Sequence, residues 1–340
     1  MEISWQRYQL AFKHPFALAT GTRTHTPSII VKIKQGDFIG YGEATLPPYL
    51  PETQESVIEF ISHIRLSDIN CSADFETAIR KIQNPVGNFS AKAGLDIALH
   101  DLWAKKNNIS VKQLVNISSK QVPYCTYTIG MDVTKKITEK VKEAESFHIL
   151  KVKLGGQRDK EIIKTIRSVT DKPLCVDANQ GWKQKEVALE MISWLATQHI
   201  LFVEQPMPKQ QWDDMYWLKE QSPLPLIADE YFQTIQDLEN SVRCFHGINI
   251  KLMKCGGISQ AKIILEKAKE YDLKILIGCM SESSCGVAAA SALQSKADWV
   301  DLDGPLLINN DPFEKINYRD GKIEQKDKTG LGVEYISESF

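Results

Sequence analysis

Short apolar runs alternate with longer stretches of mixed polarity from residue 123 onward. The apolar runs are YCTYTI, ILKVKL, PLCVDA, ILFVEQ, PLIADE, INIKLM, KILIGC and DWVDLD. The stretches between them include RDKEIIKTIRSV, KEVALEMISWLA and ISQAKIILEKAKEY, whose apolar residues recur at helical spacing. Short strands that alternate with helices predict βαβ units and a parallel sheet. Eight strands predict a closed barrel, and because no helix pattern separates the last one from Gly304-Pro305, we predict the (β/α)₇β form.

The first part of the chain has a different pattern. The stretches SWQRYQLAF, SIIVKIKQ and FIGYGEA predict an antiparallel meander, and helical patterns follow at 52–64, 75–82 and 91–105. Strands followed by helices predict a separate α+β capping domain, at 1–115, beside a barrel domain at 120–311. In the tail, 312–340, the Asp320-Gly321 pair predicts a hairpin, and we expect the tail to return to the first domain.

The amino-acid composition and charge exclude some classes of function. The chain has 340 residues, 43% hydrophobic and 25% charged, with a formal net charge of −2 and no long run of Lys or Arg. That balance is typical of a globular protein and disfavours nucleic acid as a partner. We expect no membrane partner and no secretory leader, since no apolar run reaches the roughly 18–20 residues that span a bilayer. The seven Cys form no CxxC pair, so we expect reduced thiols and a cytoplasmic protein, with a homo-oligomer left open.

Three acidic residues fall at the ends of consecutive predicted strands: Asp177, Glu204 and Asp229. Strand ends of a parallel barrel converge at one mouth, where three carboxylates would repel one another. A hard divalent cation removes that cost, and Mg²⁺ prefers carboxylate oxygens while keeping positions for substrate. The spacing therefore predicts a magnesium site.

Lysines end two further strands. Lys151 and Lys153 share a face of the second strand because Val152 lies between them, and Lys251 ends the sixth strand. The second and sixth strands of an eight-stranded barrel are diametrically opposite, so Lys153 and Lys251 should face each other across the mouth. We expect Lys151 and the metal to keep Lys153 uncharged. Two bases on opposite faces of one carbon suit a 1,1-proton transfer through an enediolate that the metal stabilises.

The last strand carries two acids on one face, Asp301 and Asp303. This strand lies opposite the fourth, so we expect both acids to be too far from the metal to bind it. They would suit a cation at the other end of the substrate. A substrate with a carboxylate at one end and an ammonium at the other is, for example, a dipeptide.

The chain resembles the enolase superfamily, in its muconate-lactonizing-like branch, along nearly its whole length. The matching stretches are KVKLGG, VDANQGW, FVEQP, IADE, INIKLMKCGGI and GCMSES. The Asp-Leu-Asp of the last strand resembles the motif of the dipeptide epimerases, which include the L-Ala-D/L-Glu epimerases. The resemblance implies Mg²⁺ on Asp177, Glu204 and Asp229, acid/base catalysis by Lys153 and Lys251, and a dipeptide whose ammonium is held by Asp301 and Asp303.

The resemblance also implies weaker assignments. Thr128 matches a substrate-contact position, Lys151 would touch the substrate carboxylate, and Cys279 and Ser281 would line the pocket. Arg23 lies in the segment ALATGTRTHT, which we expect to form a loop over the barrel mouth. If Arg23 pairs with an acidic side chain, the C-terminal residue of the dipeptide is Glu. If Arg23 is only a solvated loop residue, that position prefers apolar or other residues.

Two alternatives stay open. An o-succinylbenzoate synthase or muconate cycloisomerase would share both lysines and the metal site, although it binds no ammonium and leaves the paired acids of the last strand unexplained. A non-catalytic barrel is the other alternative, and against it stands the fact that no ligand or base of the pattern is missing.

Overall fold

A computed structural model describes residues 1–18, 21–116, 122–324 and 328–337. The chain begins with three antiparallel strands, β1 (Glu2–Leu18), β2 (Gly21–Gln35) and β3 (Phe38–Thr45), with β2 in the middle. Four helices follow: α1 (Gln54–His63), α2 (Ser72–Gln83), α3 (Phe89–Lys106) and the short α4 (Val111–Val115). Strand β3 touches α3 so closely that a Cβ at Gly42 would lie 2.0 Å from Gly94 O. The predicted meander and helices are confirmed.

The second sheet has eight parallel strands in chain order. They are β4 (Thr126–Ile129), β5 (Ile149–Lys153), β6 (Leu174–Asp177), β7 (Ile200–Glu204), β8 (Leu226–Ala228), β9 (Gly247–Ile250), β10 (Lys274–Gly278) and β11 (Trp299–Asp301). A parallel bridge between Cys125 and Val300 joins the last strand to the first. The predicted barrel is therefore confirmed.

Helices surround this sheet. They are α5 (Thr134–Glu143), α6 (Asp159–Arg167), α7 (Lys185–Ala196), α8 (Trp212–Gln221), α9 (Leu238–Cys244), α10 (Leu252–Cys255), α11 (Ile258–Glu270), α12 (Ser284–Ser291) and α13 (Gly304–Leu307). The last strand is followed by one helical turn, α13, which Pro305 helps to start because its fixed φ suits the first turn of a helix. No helix in the described ranges is both long and apolar enough to cross a bilayer.

Alternation along the strands builds the barrel interior in two layers. Cys175, Phe202 and Ile227 form an apolar cluster inside the barrel with Leu276. Two residues further along β6 and β7, on the same face, stand Asp177 and Glu204. The interior is thus apolar below and charged at the carboxyl end of the strands.

The tail returns along the molecule. Strands β12 (Asn317–Arg319) and β13 (Lys322–Glu324) form the predicted hairpin, with positive φ at both turn residues, Asp320 and Gly321. Further on, Gly330 exchanges backbone hydrogen bonds with Ile109 and Val111, and Tyr335 stacks on Tyr41 at 5.2 Å. The division at 115–120 falls partly outside the described residues and stays a prediction.

Candidate active site

Three buried carboxylates meet at the mouth of the barrel. Asp177 and Glu204 end β6 and β7, and Asp229 follows β8. One carboxylate oxygen of each lies within 4.8 Å of the others. Gln205 helps to place Asp229, because its Oε1 accepts the backbone N–H groups of Asp229 and Tyr231 at 3.0 Å each. The structure brings together the three residues that the sequence predicts as metal ligands.

The two predicted acid/base lysines flank this cluster. Lys153 Nζ lies 2.7 Å from Asp177 Oδ2, and Lys251 Nζ lies 2.8 Å from Asp229 Oδ2. Their strands, β5 and β9, are the second and sixth of the eight, so the lysines approach from opposite sides. Burial alone would lower the pKa of Lys251, but the charge of Asp229 beside it raises that pKa well above its usual value.

Lys151 occupies the centre of the acidic residues. Its Nζ lies 2.7 Å from Glu204 Oε2, 2.7 Å from Asp301 Oδ2 and 3.2 Å from Asp177 Oδ2. Burial opposes its charge, but these carboxylates raise the pKa of Lys151 well above its usual value. Lys151 thus contacts both the triad and Asp301. Asp301 therefore lies nearer to the triad than we expected from the opposite positions of β7 and β11.

The triad itself is suited to a divalent cation. Burial raises the pKa of Asp177, but the charges of Lys153 and Lys151 outweigh it and lower that pKa to about 2. Burial and the neighbouring charge of Asp177 raise the pKa of Glu204 to about 7. Glu204 Oε2 makes no aligned hydrogen bond to any described residue, although Lys151 lies close to it. Three hard oxygen donors at one point fit the ligand preferences of Mg²⁺.

A second acidic pair lies beside β4. Asp301 Oδ1 accepts the hydroxyl of Thr126 at 2.6 Å, and Asp303 Oδ2 accepts the backbone N–H of Thr128 at 2.6 Å. Burial and the charge of Asp301 raise the pKa of Asp303 to about 7. A cation placed there would stabilise the ionised form of Asp303, so this pair is suited to a positively charged group.

A cavity at the mouth of the barrel connects these groups. The predicted residues that line it are Arg23, Thr128, Lys151, Lys153, Asp229, Lys251, Cys279, Ser281, Asp301 and Asp303. Asp177 and Glu204 lie at its base, fully buried. The structure thus brings all of the sequence-predicted site residues to one place.

Arg23 reaches the cavity in a way that corrects the expected loop. Strand β1 continues to Leu18 and pairs with Gly21 of β2, so the described residues on both sides of 19–20 are strand. Arg23 is on β2, with its guanidinium carbon 5.6 Å from the Phe12 ring centre and Nη1 3.4 Å from Thr26 Oγ1. Burial lowers the pKa of Arg23 below its usual range.

Four polar residues around the site were missed from the sequence. Asn249 donates to Glu204 Oε1 at 2.7 Å, and its alternation with Lys251 could have identified it. Glu230 follows Asp229 directly, and burial with the charge of Asp229 raises its pKa to about 7. Lys254 bonds Asp229, and Tyr49, which lines the cavity, donates to the sulfur of Met280. Nothing in the local sequence marks Tyr49.

The fold and the site define a class of protein, the barrel enzymes that hold a divalent cation on strand-end carboxylates. Comparison with protein families narrows this. Residues 134–339 match the enolase C-terminal domain-like family, and residues 3–116 match the N-terminal domain of the mandelate racemase and muconate lactonizing enzyme family. The chain belongs to the enolase superfamily, in its mandelate racemase and muconate lactonizing group, as the sequence motifs predicted.

Several similar proteins are named as dipeptide epimerases. An L-Ala-D/L-Glu epimerase of Bacteroides thetaiotaomicron is 44% identical over 98% of this chain and 88% of its own length. The substrate-liganded L-Ala-D/L-Glu epimerase of Bacillus subtilis superposes with a TM-score of 0.91 at 28% identity, over 99% of both chains. A dipeptide epimerase of Cytophaga hutchinsonii, complexed with Mg and D-Ala-L-Val, superposes with a TM-score of 0.90 at 27% identity, over 99% of this chain and 96% of its own.

Proposed function

We propose that this protein is a Mg²⁺-dependent dipeptide epimerase, which inverts the α-carbon of the C-terminal residue of an L-Ala-L-Xaa dipeptide. The observation that carries the proposal is the placement of Lys153 and Lys251 on opposite sides of one carboxylate triad, each in contact with one of its members. That arrangement offers a proton acceptor and a proton donor to the two faces of a single carbon. The names of the similar proteins support the same reaction.

Asp177, Glu204 and Asp229 would hold the cation, which supplies positive charge to the substrate carboxylate as the α-proton leaves. One lysine, as the neutral amine, takes the α-proton, and the opposite lysine, as the ammonium, returns a proton to the other face. After one turnover the two lysines have exchanged protonation states, so the reverse epimer is processed by the same pair. Lys151, with its three carboxylate partners, keeps its proton and adds a fixed positive charge beside the substrate carboxylate.

The paired acids on β11 would bind the dipeptide ammonium. Asp301 is already neutralised by Lys151 at 2.7 Å, which leaves Asp303 as the main partner for a new cation. Asp303 lies beside Thr128 on β4 and lines the same cavity as Asp229 of the triad, so one small substrate could reach both. Thr128, Cys279 and Ser281 line the space between and would contact the dipeptide.

Arg23 favours glutamate as the C-terminal residue. Its guanidinium lines the same cavity as both lysines, and its one described hydrogen bond, to Thr26, is long at 3.4 Å. A substrate carboxylate would give Arg23 the bidentate, charge-assisted partner that guanidinium groups prefer. We therefore propose L-Ala-L-Glu as the preferred substrate, ahead of dipeptides with apolar C-terminal residues.

The test is ¹H NMR in D₂O with Mg²⁺ and a set of L-Ala-L-Xaa dipeptides, including L-Ala-L-Glu, L-Ala-L-Gln and L-Ala-L-Leu. We expect loss of the C-terminal α-proton signal together with growth of a diastereomer, fastest for L-Ala-L-Glu. The control is the same protein with both Lys153→Ala and Lys251→Ala. Absence of exchange with every dipeptide would refute the epimerase proposal and favour a lyase or cycloisomerase of the same group.

A further inference from the structure

A fourth buried lysine lies against the candidate metal site, and the mechanism above gives it no role. Lys254 Nζ donates to Asp229 Oδ1 at 2.7 Å and to the backbone carbonyl oxygen of Asp229 at 2.7 Å. Its side chain is 1% exposed. Because one ammonium binds the main chain and the side chain of the same residue, it restricts rotation of the Asp229 carboxylate.

The two carboxylate oxygens of Asp229 have different lysine partners, Oδ1 with Lys254 and Oδ2 with Lys251. Oδ1 and the backbone carbonyl are engaged by Lys254, and the backbone N–H donates to Gln205 Oε1 at 3.0 Å. The remaining oxygen, Oδ2, faces Lys251 at 2.8 Å. Lys254 therefore determines which oxygen of Asp229 is presented to the metal and to Lys251.

Lys254 is itself held firmly. It lies on the single turn of α10, which ends at Gly256 and Gly257, both with positive φ and both donating to Leu252 O at 3.0 Å. Gln83 of α2 donates to Gly256 O at 2.7 Å, and a Cβ at Gly257 would lie 2.6 Å from the Cβ of Asp96 on α3. Helices α2 and α3 of the N-terminal domain thus contact the turn that carries Lys254 and hold it in place.

We infer that Lys254 is a positioning residue, which holds Asp229 Oδ2 toward the cation and prevents the carboxylate from turning both oxygens to Lys251. The inference rests on the proposed function, because it takes Asp229 as a Mg²⁺ ligand. Without the ammonium, Oδ1 would be a buried acceptor with no partner, and Lys251 would be the nearest cation left to satisfy it. Both metal binding and the availability of Lys251 would then suffer.

The test measures Mg²⁺ binding directly, by isothermal titration calorimetry on the full-length, metal-free protein. We expect Lys254→Met to raise the Kd for Mg²⁺ by roughly 10–100-fold, which is the usual effect of removing a residue that orients a metal ligand. Lys254→Gln keeps an N–H donor and should lose less. The matched control is Lys105→Met, because Lys105 also binds one carboxylate, Asp101 Oδ2 at 2.7 Å, and one backbone carbonyl, Ile39 O at 2.9 Å, but lies in the N-terminal domain.

A second measurement separates positioning from general stability. The Lys251→Ala variant first identifies the epimer whose α-proton exchange in D₂O depends on Lys251. Lys254→Met should slow exchange of that epimer more than exchange of the other epimer. Equal slowing of both epimers, or a Kd within twofold of the parent in a folded Lys254→Met protein, would overturn the inference. So would an equal loss in Lys105→Met, or failure of both Lys254 variants to fold, which would make the role structural.

Different results would contradict the proposed function itself. If the parent protein bound no Mg²⁺, or bound it equally well after Asp229→Asn, the triad would not be the metal site. The parent and Asp229→Asn titrations therefore test the proposed function, and the Lys254 variants test the positioning role within it.

Discussion

Glu282 makes the stability of this protein depend on pH in an unusual direction. The side chain follows β10 and is 1% exposed, and its Oε1 accepts the backbone N–H of Met280 at 2.7 Å. Oε2 has no hydrogen-bond partner among the residues that the structure describes. Burial and the nearby charge of Glu43 raise the pKa of Glu282 from 4.5 to about 8. At neutral pH the folded protein therefore holds Glu282 as a neutral acid.

The sign of the effect follows from proton linkage. Between pH 4.5 and about 8 the folded state keeps this proton while the unfolded state releases it, so the free energy of unfolding decreases as pH rises. Glu282 imposes no penalty below pH 4.5. At about 1.4 kcal/mol for each pH unit between the unfolded and folded pKa values, the loss by pH 8 reaches about 5 kcal/mol. Glu282→Gln retains an oxygen for the Met280 N–H and removes the titration.

The assay is urea unfolding of the parent and Glu282→Gln from pH 5 to 8.5, in EDTA so that metal binding does not contribute. We expect the variant to gain stability over the parent steadily across this range. A difference between Glu282→Gln and the parent that stays constant from pH 5 to 8.5 would refute the reasoning.

Three further predictions concern the site. Lys153→Ala and Lys251→Ala should each slow epimerisation by about 10²–10⁴-fold, the usual worth of a general acid or base, while each variant still exchanges the α-proton of one epimer, as deuterium NMR would detect. Mg²⁺ at about 100 times its Kd should raise the free energy of unfolding by about 2.7 kcal/mol, visible as a higher Tm that EDTA reverses and that Asp229→Asn abolishes. Arg23→Gln should raise the KM for L-Ala-L-Glu by roughly 10–100-fold, since it removes a charged hydrogen bond worth about 1.5–3 kcal/mol, but should leave the KM for L-Ala-L-Leu nearly unchanged in the D₂O exchange assay.

The metal cluster could be predicted from the sequence because alternate residues of a strand share a face, which sets the direction of an acid at the strand end. Cys175 and Phe202 stand two residues before Asp177 and Glu204, so the same face of each strand carries an apolar residue below and an acid above. A shift of one residue would have turned the acids outward among the helices. The order of the strands in the chain then placed consecutive strand ends side by side at one mouth, without any knowledge of loops.

Two features of the site could not be predicted this way. Strand order places Asp301 opposite Glu204, but it gives no account of a lysine long enough to touch both, so the bridge by Lys151 was missed. The segment around Arg23 contains Gly21 and several threonines, which locally resemble a loop. Pairing of β1 with β2, in a register that begins at Glu2 and Lys34, extends the hairpin instead, because long-range strand pairing outweighs such local preferences.

The N-terminal domain contributes residues to the cavity, and it also forms hydrogen bonds with the segments that follow two barrel strands. After β10, Glu43 of β3 accepts hydrogen bonds from the Ser283 hydroxyl at 2.6 Å and from the Gly286 N–H at 3.2 Å. These bonds hold the start of α12, which lies just after the cavity residues Cys279 and Ser281. After β9, Gln83 holds Gly256, which ends the turn that carries Lys254. A change in how this domain docks would therefore move groups beside Asp229 and beside the substrate together. We therefore expect substitutions at Glu43 or Gln83, which line neither the triad nor the cavity, to alter both metal binding and substrate binding.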